Sequence, residues 1–262
     1  MRIHQARFAA ALAWRTDALI ERLPTRYRVW VENQRDAFRV RSGRTSFDRG
    51  RLTRTYRESI RRLLRSEPAE ALGDYLEFGV YHGTTLSSIY EARRQLGLDR
   101  MRLFGFDSFQ GLPQSAATED DGLWTPGQFR SSLERTRENL SRWGVPPEDV
   151  TLVEGWFSET CTPETRTQYA IERASVIMID CDLYSSTVEA LAFCEPLIGT
   201  QAVIVFDDWG AGGLDDRRLG ERRAFEEFLA RHLDLRAEEL HGLQYKDKGD
   251  PKIVYVTRVA PA

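Results

Sequence analysis

Two apolar runs in the second half of the chain each end in aspartates, a residue type that can hold a metal ion or accept a proton. The runs are residues 175–179 and 202–206, and both are short and rich in β-branched side chains. The four aspartates that follow them are Asp180, Asp182, Asp207 and Asp208. Apolar runs of this kind are typical of strands covered on both faces, as in a parallel sheet. Ligands of such sheets bind beyond the carboxyl ends of the strands, so we expect the four carboxylates to meet in one crevice.

A cluster of four carboxylates is unstable unless protons or a cation compensate its charge. An all-oxygen set of ligands suits a hard divalent ion such as Mg²⁺ better than it suits zinc. The alternative is that each aspartate only caps the helix after its strand. Because two strands in succession end in acidic pairs, we favour a binding site over capping.

A second candidate feature is a G-x-x-x-G turn formed by Gly79 and Gly83 where a predicted strand meets a predicted helix. Glycines at such a junction let a ligand approach the backbone, and the free amides of the helix favour an anionic group. The spacing differs from G-x-G-x-x-G, which argues against a nicotinamide cofactor. Gly79 taken alone is equally well explained by packing.

Asp107 follows the next predicted strand, at the position where doubly wound nucleotide-binding folds keep an acid for the ribose hydroxyls. Capping of a turn is an equal alternative for this residue alone. The glycine turn and Asp107 together predict a nucleoside-bearing ligand across the first two strands, with the acidic cluster beside it.

The elements that must position these residues begin at about residue 71, where strands start to alternate with helices. This alternation predicts an α/β fold with a doubly wound, mostly parallel sheet. The predicted strands are 75–79, 103–107, 150–154, 175–179 and 202–206, with a final antiparallel pair at 235–240 and 253–257. The predicted helices are 84–96, 131–143, 163–173, 186–197 and 222–232. A long loop rich in glycine and proline follows Asp107, and loops of that length are usually functional.

Residues 1–70 are expected to be a helical N-terminal extension, a substrate lid or an oligomer contact, and residues 71–262 a single catalytic domain. Helices are predicted at 1–23 and 53–66, with a helical or irregular stretch at 26–45. The extension is rich in arginine interleaved with aromatic residues. This pattern favours a solvated helical face or a subunit contact over a phosphate-binding face, and makes a homo-oligomer the expected state.

Composition excludes several classes of partner. The formal net charge of −3 gives no reason to expect nucleic acid or an anionic membrane. No apolar run reaches the roughly 18 residues that a membrane span needs, and the first residues do not resemble a signal peptide. The three cysteines match neither a zinc site nor a disulfide framework, so a soluble, unprocessed cytoplasmic protein is expected.

Four motifs in this order resemble the macrocin-type sugar O-methyltransferases, the TylF/MycF family of S-adenosylmethionine- and metal-dependent enzymes. The motifs are EFGVYHG at 77–83, FDSFQGLP at 106–113, EGWFSET at 154–160, and IDCDLYSST at 179–187 paired with FDDWG at 206–210. They span roughly residues 74–229. The resemblance implies a Rossmann-like class I methyltransferase domain that binds S-adenosylmethionine and Mg²⁺.

Carried over by position, the resemblance also implies a role for each site residue. Those around the methionine part of the cofactor would be Glu77, Gly79, Tyr81, Gly83 and Thr84. Those at the ribose and adenosine would be Asp107, Ser108, Gly155 and Trp156. The metal ligands would be Asp180, Asp207 and Asp208, and the general base would be Asp182.

The leading hypothesis is a Mg²⁺-dependent methyltransferase for a hydroxyl of a vicinal diol, on a deoxysugar of a natural product. Two hydroxyls chelated by a metal are held in place, and the reacting one becomes easier to deprotonate. A catechol-type O-methyltransferase shares this logic and is the main alternative. A non-catalytic S-adenosylmethionine-binding module is disfavoured by the intact acids, and a phosphohydrolase by the glycine turn and Asp107.

Overall fold

A computed structural model describes residues 20–45, 47–243, 245–246 and 251–259 of the chain. Its centre is a seven-stranded sheet of order β3-β2-β1-β4-β5-β7-β6. Strands β1 to β5 are parallel, and β7 and β6 complete one edge in antiparallel pairing. The order reverses between β1 and β4, which is where sheets of this kind bind ligands. The predicted α/β, doubly wound and mostly parallel Rossmann-like fold is confirmed.

The strands are β1 Asp74–Phe78, β2 Leu103–Asp107, β3 Val150–Glu154, β4 Ala174–Ile179, β5 Ile198–Phe206, β6 Leu235–Glu239 and β7 Lys252–Arg258. The helices are α1 Thr25–Arg41, α2 Arg49–Leu63, α3 Thr84–Leu96, α4 Leu133–Arg142, α5 Phe157–Thr160, α6 Pro163–Gln168, α7 Tyr184–Cys194 and α8 Gly220–Arg231. None of the helices in the described ranges has the length and hydropathy needed to cross a bilayer.

Alternate residues of the central strands feed two separate cores, one on each face of the sheet. Ile177 and Ile179 of β4 pack with α7 and α8, whereas Val176 and Met178 pack with α2 and α3. Apolar side chains on both faces explain why the sequence of β4 shows no polar alternation. Since α2 lies in the second core, part of the predicted N-terminal extension packs directly on the sheet.

Differences from the predicted elements are confined to their ends, apart from one helix. The stretch predicted as one helix at 163–173 forms α6 only as far as Gln168, and a separate short helix, α5, precedes it. Strand β5 begins at Ile198, four residues before the predicted start. The prediction began late because the first residues of the strand are only partly apolar. The helix predicted at 1–23 lies almost wholly outside the described residues.

Gly79, directly after β1, is where the chain passes closest to the loop after β4. Its backbone has a φ of +89°, and a Cβ built there would lie 1.7 Å from the carbonyl oxygen of Asp180. No side chain fits that space. The glycine turn and the first acidic loop are therefore packed backbone to backbone.

We predict that Gly79→Ala destabilises the fold far more than Gly97→Ala. Gly97 also has a positive φ, +67°, but a Cβ there meets nothing within 4 Å. The control should cost about 1 kcal/mol of conformational strain, and Gly79→Ala at least about 3 kcal/mol more, because backbone must move. Urea denaturation of both variants measures the difference, and equal losses would show that the close approach to Asp180 is not a constraint.

Candidate active site

A cavity of about 570 Å³ lies at the carboxyl ends of the parallel strands. The loops after β1 to β5 line it, and α1 and Lys246 close other sides. Eleven of the predicted site residues line this cavity: Gly79, Tyr81, Thr84, Asp107, Ser108, Gly155, Trp156, Asp180, Asp182, Asp207 and Asp208. The two that do not are Glu77 and Gly83. The structure therefore brings the glycine turn, Asp107 and the acidic cluster into one chamber.

The carboxylates of the acidic cluster are close together, with Asp182 and Asp207 buried and Asp180 half-buried. Single carboxylate oxygens of Asp180, Asp207 and Asp208 lie within 4.8 Å of one another. The backbone of Asp182 holds a positive φ of 66°. A non-glycine residue in that conformation is uncommon and often marks a functional site.

Burial and mutual repulsion make the cluster hard to ionise. Desolvation, followed by the neighbouring carboxylates, raises the pKa values of Asp180 and Asp182 well above their usual range. The same causes raise the pKa of Asp208 to about 7. A group that is protonated only because positive charge is lacking would ionise beside a cation. Three close oxygen ligands in a cluster short of positive charge fit a hard divalent ion.

Lys246 and Tyr245, which the sequence analysis missed, hold Asp207 from the connection between β6 and β7. The Lys246 ammonium forms an ion pair with Asp207 Oδ2, and the Tyr245 hydroxyl donates to Oδ1 at 2.5 Å. Burial alone would lower the pKa of Lys246, but the carboxylates around it raise that pKa above its ordinary value. No motif marks these two residues, because only the folding of the last strands brings them to the site.

Glu221 is a second residue that sequence reasoning missed. It is 1% exposed and accepts a hydrogen bond from the backbone N–H of Asp208 at 3.0 Å. Burial and the nearby carboxylates raise its pKa well above the usual range. Glu221 thus positions the backbone of the acidic loop after β5 from beneath.

Asp107 joins the end of β2 to the glycine turn. Its carboxylate accepts hydrogen bonds from the backbone N–H groups of Val80, Tyr81 and Phe109 at 2.8, 2.9 and 2.6 Å. Three such bonds stabilise the charged carboxylate, although burial raises its pKa. Asp107 therefore shapes the turn as well as lining the cavity.

Glu77 lies beneath the glycine turn, where it is fully buried. Its carboxylate accepts hydrogen bonds from the hydroxyls of Tyr75, at 2.5 Å, and Thr85. Desolvation raises its pKa to about 8. Gly83 has a packing role, since a Cβ there would lie 3.0 Å from the side chain of Leu140. Both residues support the turn from behind.

The long loop after β2 forms one wall of the cavity through Trp124 and Phe129. Asp120 anchors this loop, accepting hydrogen bonds from the backbone N–H groups of Tyr184 and Gly220, both at 2.9 Å. Those amides begin α7 and α8, whose first turns have unpaired N–H groups and favour negative charge. The loop is thus held against the two helices that follow the acidic strands.

Helix α1 closes the cavity next to the long loop. Asp36 faces it and accepts a hydrogen bond from the Tyr81 hydroxyl at 3.2 Å. Asn33 on the same helix donates to the carbonyl oxygen of Gly127 at 2.9 Å, which ties the helix to the long loop. Part of the N-terminal extension therefore belongs to the wall of the chamber.

Comparison with known proteins agrees with this geometry. The family profile described as Macrocin-O-methyltransferase (TylF) matches residues 32–232. The chain is similar in fold to the O-methyltransferase NovP, with a TM-score of 0.62, 21% identity and 80% of each chain covered.

Two relatives are similar in sequence. One is the 8-demethyl-8-(2,3-dimethoxy-alpha-L-rhamnosyl)-tetracenomycin-C 4'-O-methyltransferase of Streptomyces olivaceus, 29% identical over 55% of this chain and 56% of the relative. The other is the mycinamicin III 3''-O-methyltransferase of Micromonospora griseorubida, 26% identical over 52% of this chain and 55% of the relative. The chain thus matches about half the length of these relatives. On the family match, which covers most of the sequence and the loops after β1 to β5, the chain belongs to the macrocin O-methyltransferase (TylF) family.

Proposed function

We propose that this protein transfers the methyl group of S-adenosylmethionine to one hydroxyl of a vicinal diol, with Mg²⁺ bound at the acidic cluster. The substrate we propose is a deoxysugar of a small glycosylated natural product. The observation that carries the proposal is that one cavity contains the glycine turn, Asp107 and the three close carboxylates. The family match and the sugar O-methyltransferases among the relatives support it.

The cofactor half of the chamber lies over β1, β2 and β3. S-adenosylmethionine supplies a methyl group on a sulfonium that is open to in-line attack. We assign its methionine part to the turn at Gly79, Tyr81 and Thr84, supported from behind by Glu77 and Gly83. We assign the ribose to Asp107, and the adenosine to the surroundings of Ser108, Gly155 and Trp156.

The acceptor half lies over β4 and β5. When bound, Mg²⁺ orients two neighbouring hydroxyls and lowers the pKa of the reacting one. Asp180, Asp207 and Asp208 are the residues that would hold it. Asp182 lines the same cavity in its constrained backbone conformation. We assign to it the role of general base, which accepts the proton of the reacting hydroxyl.

The substrate side is bounded by the long loop and by α1. Trp124 and Phe129 offer apolar faces for a sugar ring or its scaffold, while Asp36 offers an acceptor for hydroxyls. We therefore propose that residues 1–70 act as a substrate lid on the domain formed by residues 71–262. Exposed Tyr27, Trp30 and Phe38 on α1 support a further role in homo-oligomer contacts. The three cysteines, none in a disulfide, support a cytoplasmic location.

Methyl transfer to glycosides and to catechols, measured with and without a chelator, tests the function directly. We expect turnover of a glycoside with adjacent hydroxyls, loss of that turnover on chelation, and recovery with Mg²⁺. Preference for a catechol would favour the aromatic alternative. Full activity after exhaustive chelation would contradict the metal assignment.

We predict that Asp182→Asn and Asp208→Asn fail in different ways. Asp182→Asn retains shape and hydrogen bonding but cannot accept the hydroxyl proton, so turnover should fall roughly 10²–10⁴-fold with little change in metal affinity. Asp208→Asn should weaken metal binding first, and excess Mg²⁺ should restore part of the rate. Metal titration with turnover assays separates the two variants. Equal recovery of turnover by excess Mg²⁺ in both would show that Asp182 is a metal ligand.

We also predict that Asp107→Ala weakens binding of S-adenosylhomocysteine, measured by calorimetry. Loss of a charged hydrogen-bonding partner should cost about 1.5–3 kcal/mol. Because Asp107 also shapes the turn, Asp107→Asn is the milder variant. Its single amide oxygen can still accept from the N–H groups of Val80 and Tyr81, while the charge and the acceptor for the Phe109 N–H are lost. Unchanged affinity in both variants would remove Asp107 from the cofactor site.

A further inference from the structure

Both carboxylate oxygens of Asp207 are occupied by donors from one short segment of the chain. Tyr245 donates to Oδ1 at 2.5 Å, while the Lys246 ammonium contacts Oδ2 and also the Asp207 carbonyl oxygen at 3.1 Å. The side chains of Lys246 and Asp207 are 14% and 3% exposed. This ion pair is therefore partly withdrawn from water, and its ammonium is a strong local charge.

The choice of lysine is unusual for this protein. Of its 37 basic residues only three are lysines, and all three lie between residues 246 and 252. Arginine, which is used elsewhere, binds carboxylates through a planar fork with two parallel hydrogen bonds. Lysine is a compact point charge on a flexible stem, so it can leave one oxygen without breaking a bidentate pair.

A divalent ion and the Lys246 ammonium cannot both be bound to Asp207 Oδ2 at low cost. An ion ligated through that oxygen would stand a few ångströms from the ammonium, and the two positive charges would repel each other in a buried site. The ring of Phe47 lies 4.9 Å from the Lys246 ammonium. It offers a cation–π contact that needs no carboxylate.

We propose that Lys246 is the resident counter-ion of the acidic cluster and that a divalent ion binds by displacing its ammonium from Asp207. The inference rests on the metal site of the proposed function. In the metal-free protein Lys246 compensates part of the negative charge of the cluster. In the metal-bound protein its ammonium leaves Asp207 and keeps the contact with the Phe47 ring, close to the substrate.

The first measurement is Mn²⁺ affinity, followed by electron paramagnetic resonance of the free ion, for the parent protein, Lys246→Met and Lys252→Met. Lys252 is the matched control because it also pairs with a carboxylate, Glu239 at 2.6 Å, but does not line the cavity. We expect Lys246→Met to bind Mn²⁺ about tenfold or more tightly than the parent, since no ammonium has to leave. Lys252→Met should bind as the parent does.

The second measurement is amine labelling of the unmodified chain, read by mass spectrometry with and without Mg²⁺. Lys246 should react faster with an acylating reagent once Mg²⁺ is bound, while Lys252 serves as the internal reference. This arm is needed because the removal of any nearby positive charge tightens cation binding, whereas only displacement changes the reactivity of Lys246.

The outcomes separate this inference from the proposed function. Equal Mn²⁺ affinity in the parent and Lys246→Met, or unchanged labelling of Lys246 at saturating Mg²⁺, would overturn the displacement while leaving the metal site in place. Binding of Mn²⁺ by Lys246→Met, with no binding by the parent or Lys252→Met, would support the displacement. Absence of Mn²⁺ binding in all three proteins would reject the metal site itself, and the displacement with it.

Discussion

The crowding of four carboxylates at one edge of the sheet is the constraint on which the rest of the site depends. Asp182 and Asp207 are buried, and desolvation raises the pKa values of Asp180, Asp182 and Asp208. Carboxylates in such surroundings need a cation, protons or many donors. Among the described residues, the ammonium of Lys246 and the phenol of Tyr245 pair with Asp207. The charge that is still lacking is what makes this edge suitable for a divalent ion.

The same edge joins the two halves of the proposed chemistry through backbone contact. Gly79 lies against the Asp180 carbonyl oxygen, so the glycine turn and the first acidic loop cannot move independently. Asp107 adds a second connection, because it holds the amides of Val80 and Tyr81 from the end of β2. Methyl transfer needs donor and acceptor aligned within a fraction of an ångström. Contacts between neighbouring loop backbones meet that need better than long side chains do.

The walls of the chamber are held by polar contacts from distant parts of the chain. Asp120 joins the long loop after β2 to the first turns of α7 and α8, and Asn33 joins α1 to the same loop. Each contact satisfies backbone groups that would otherwise lack partners, at helix starts and in the loop.

The sequence by itself determined the fold class, the boundaries of most strands and the meeting of the glycine turn, Asp107 and the four aspartates in one crevice. The reason is local: apolar runs covered on both faces, glycines at a strand end and acids after strands all follow from neighbours within a few residues. The roles of the individual residues come from the family resemblance and stay predictions, while the family match supports the family itself. The sequence does not show that Glu77 is buried beneath the turn or that Gly83 packs against Leu140, because both depend on what lies behind the turn.

Only the tertiary structure decided which distant residues complete the site. Lys246 and Tyr245 reach Asp207 because the antiparallel edge strands β6 and β7 bring their connection back to the end of β5. Glu221 reaches the Asp208 amide across a turn that carries no motif. Pairing between residues far apart in the chain leaves no periodic signal, so the counter-ion of an acidic cluster emerges only once strand order and register are set.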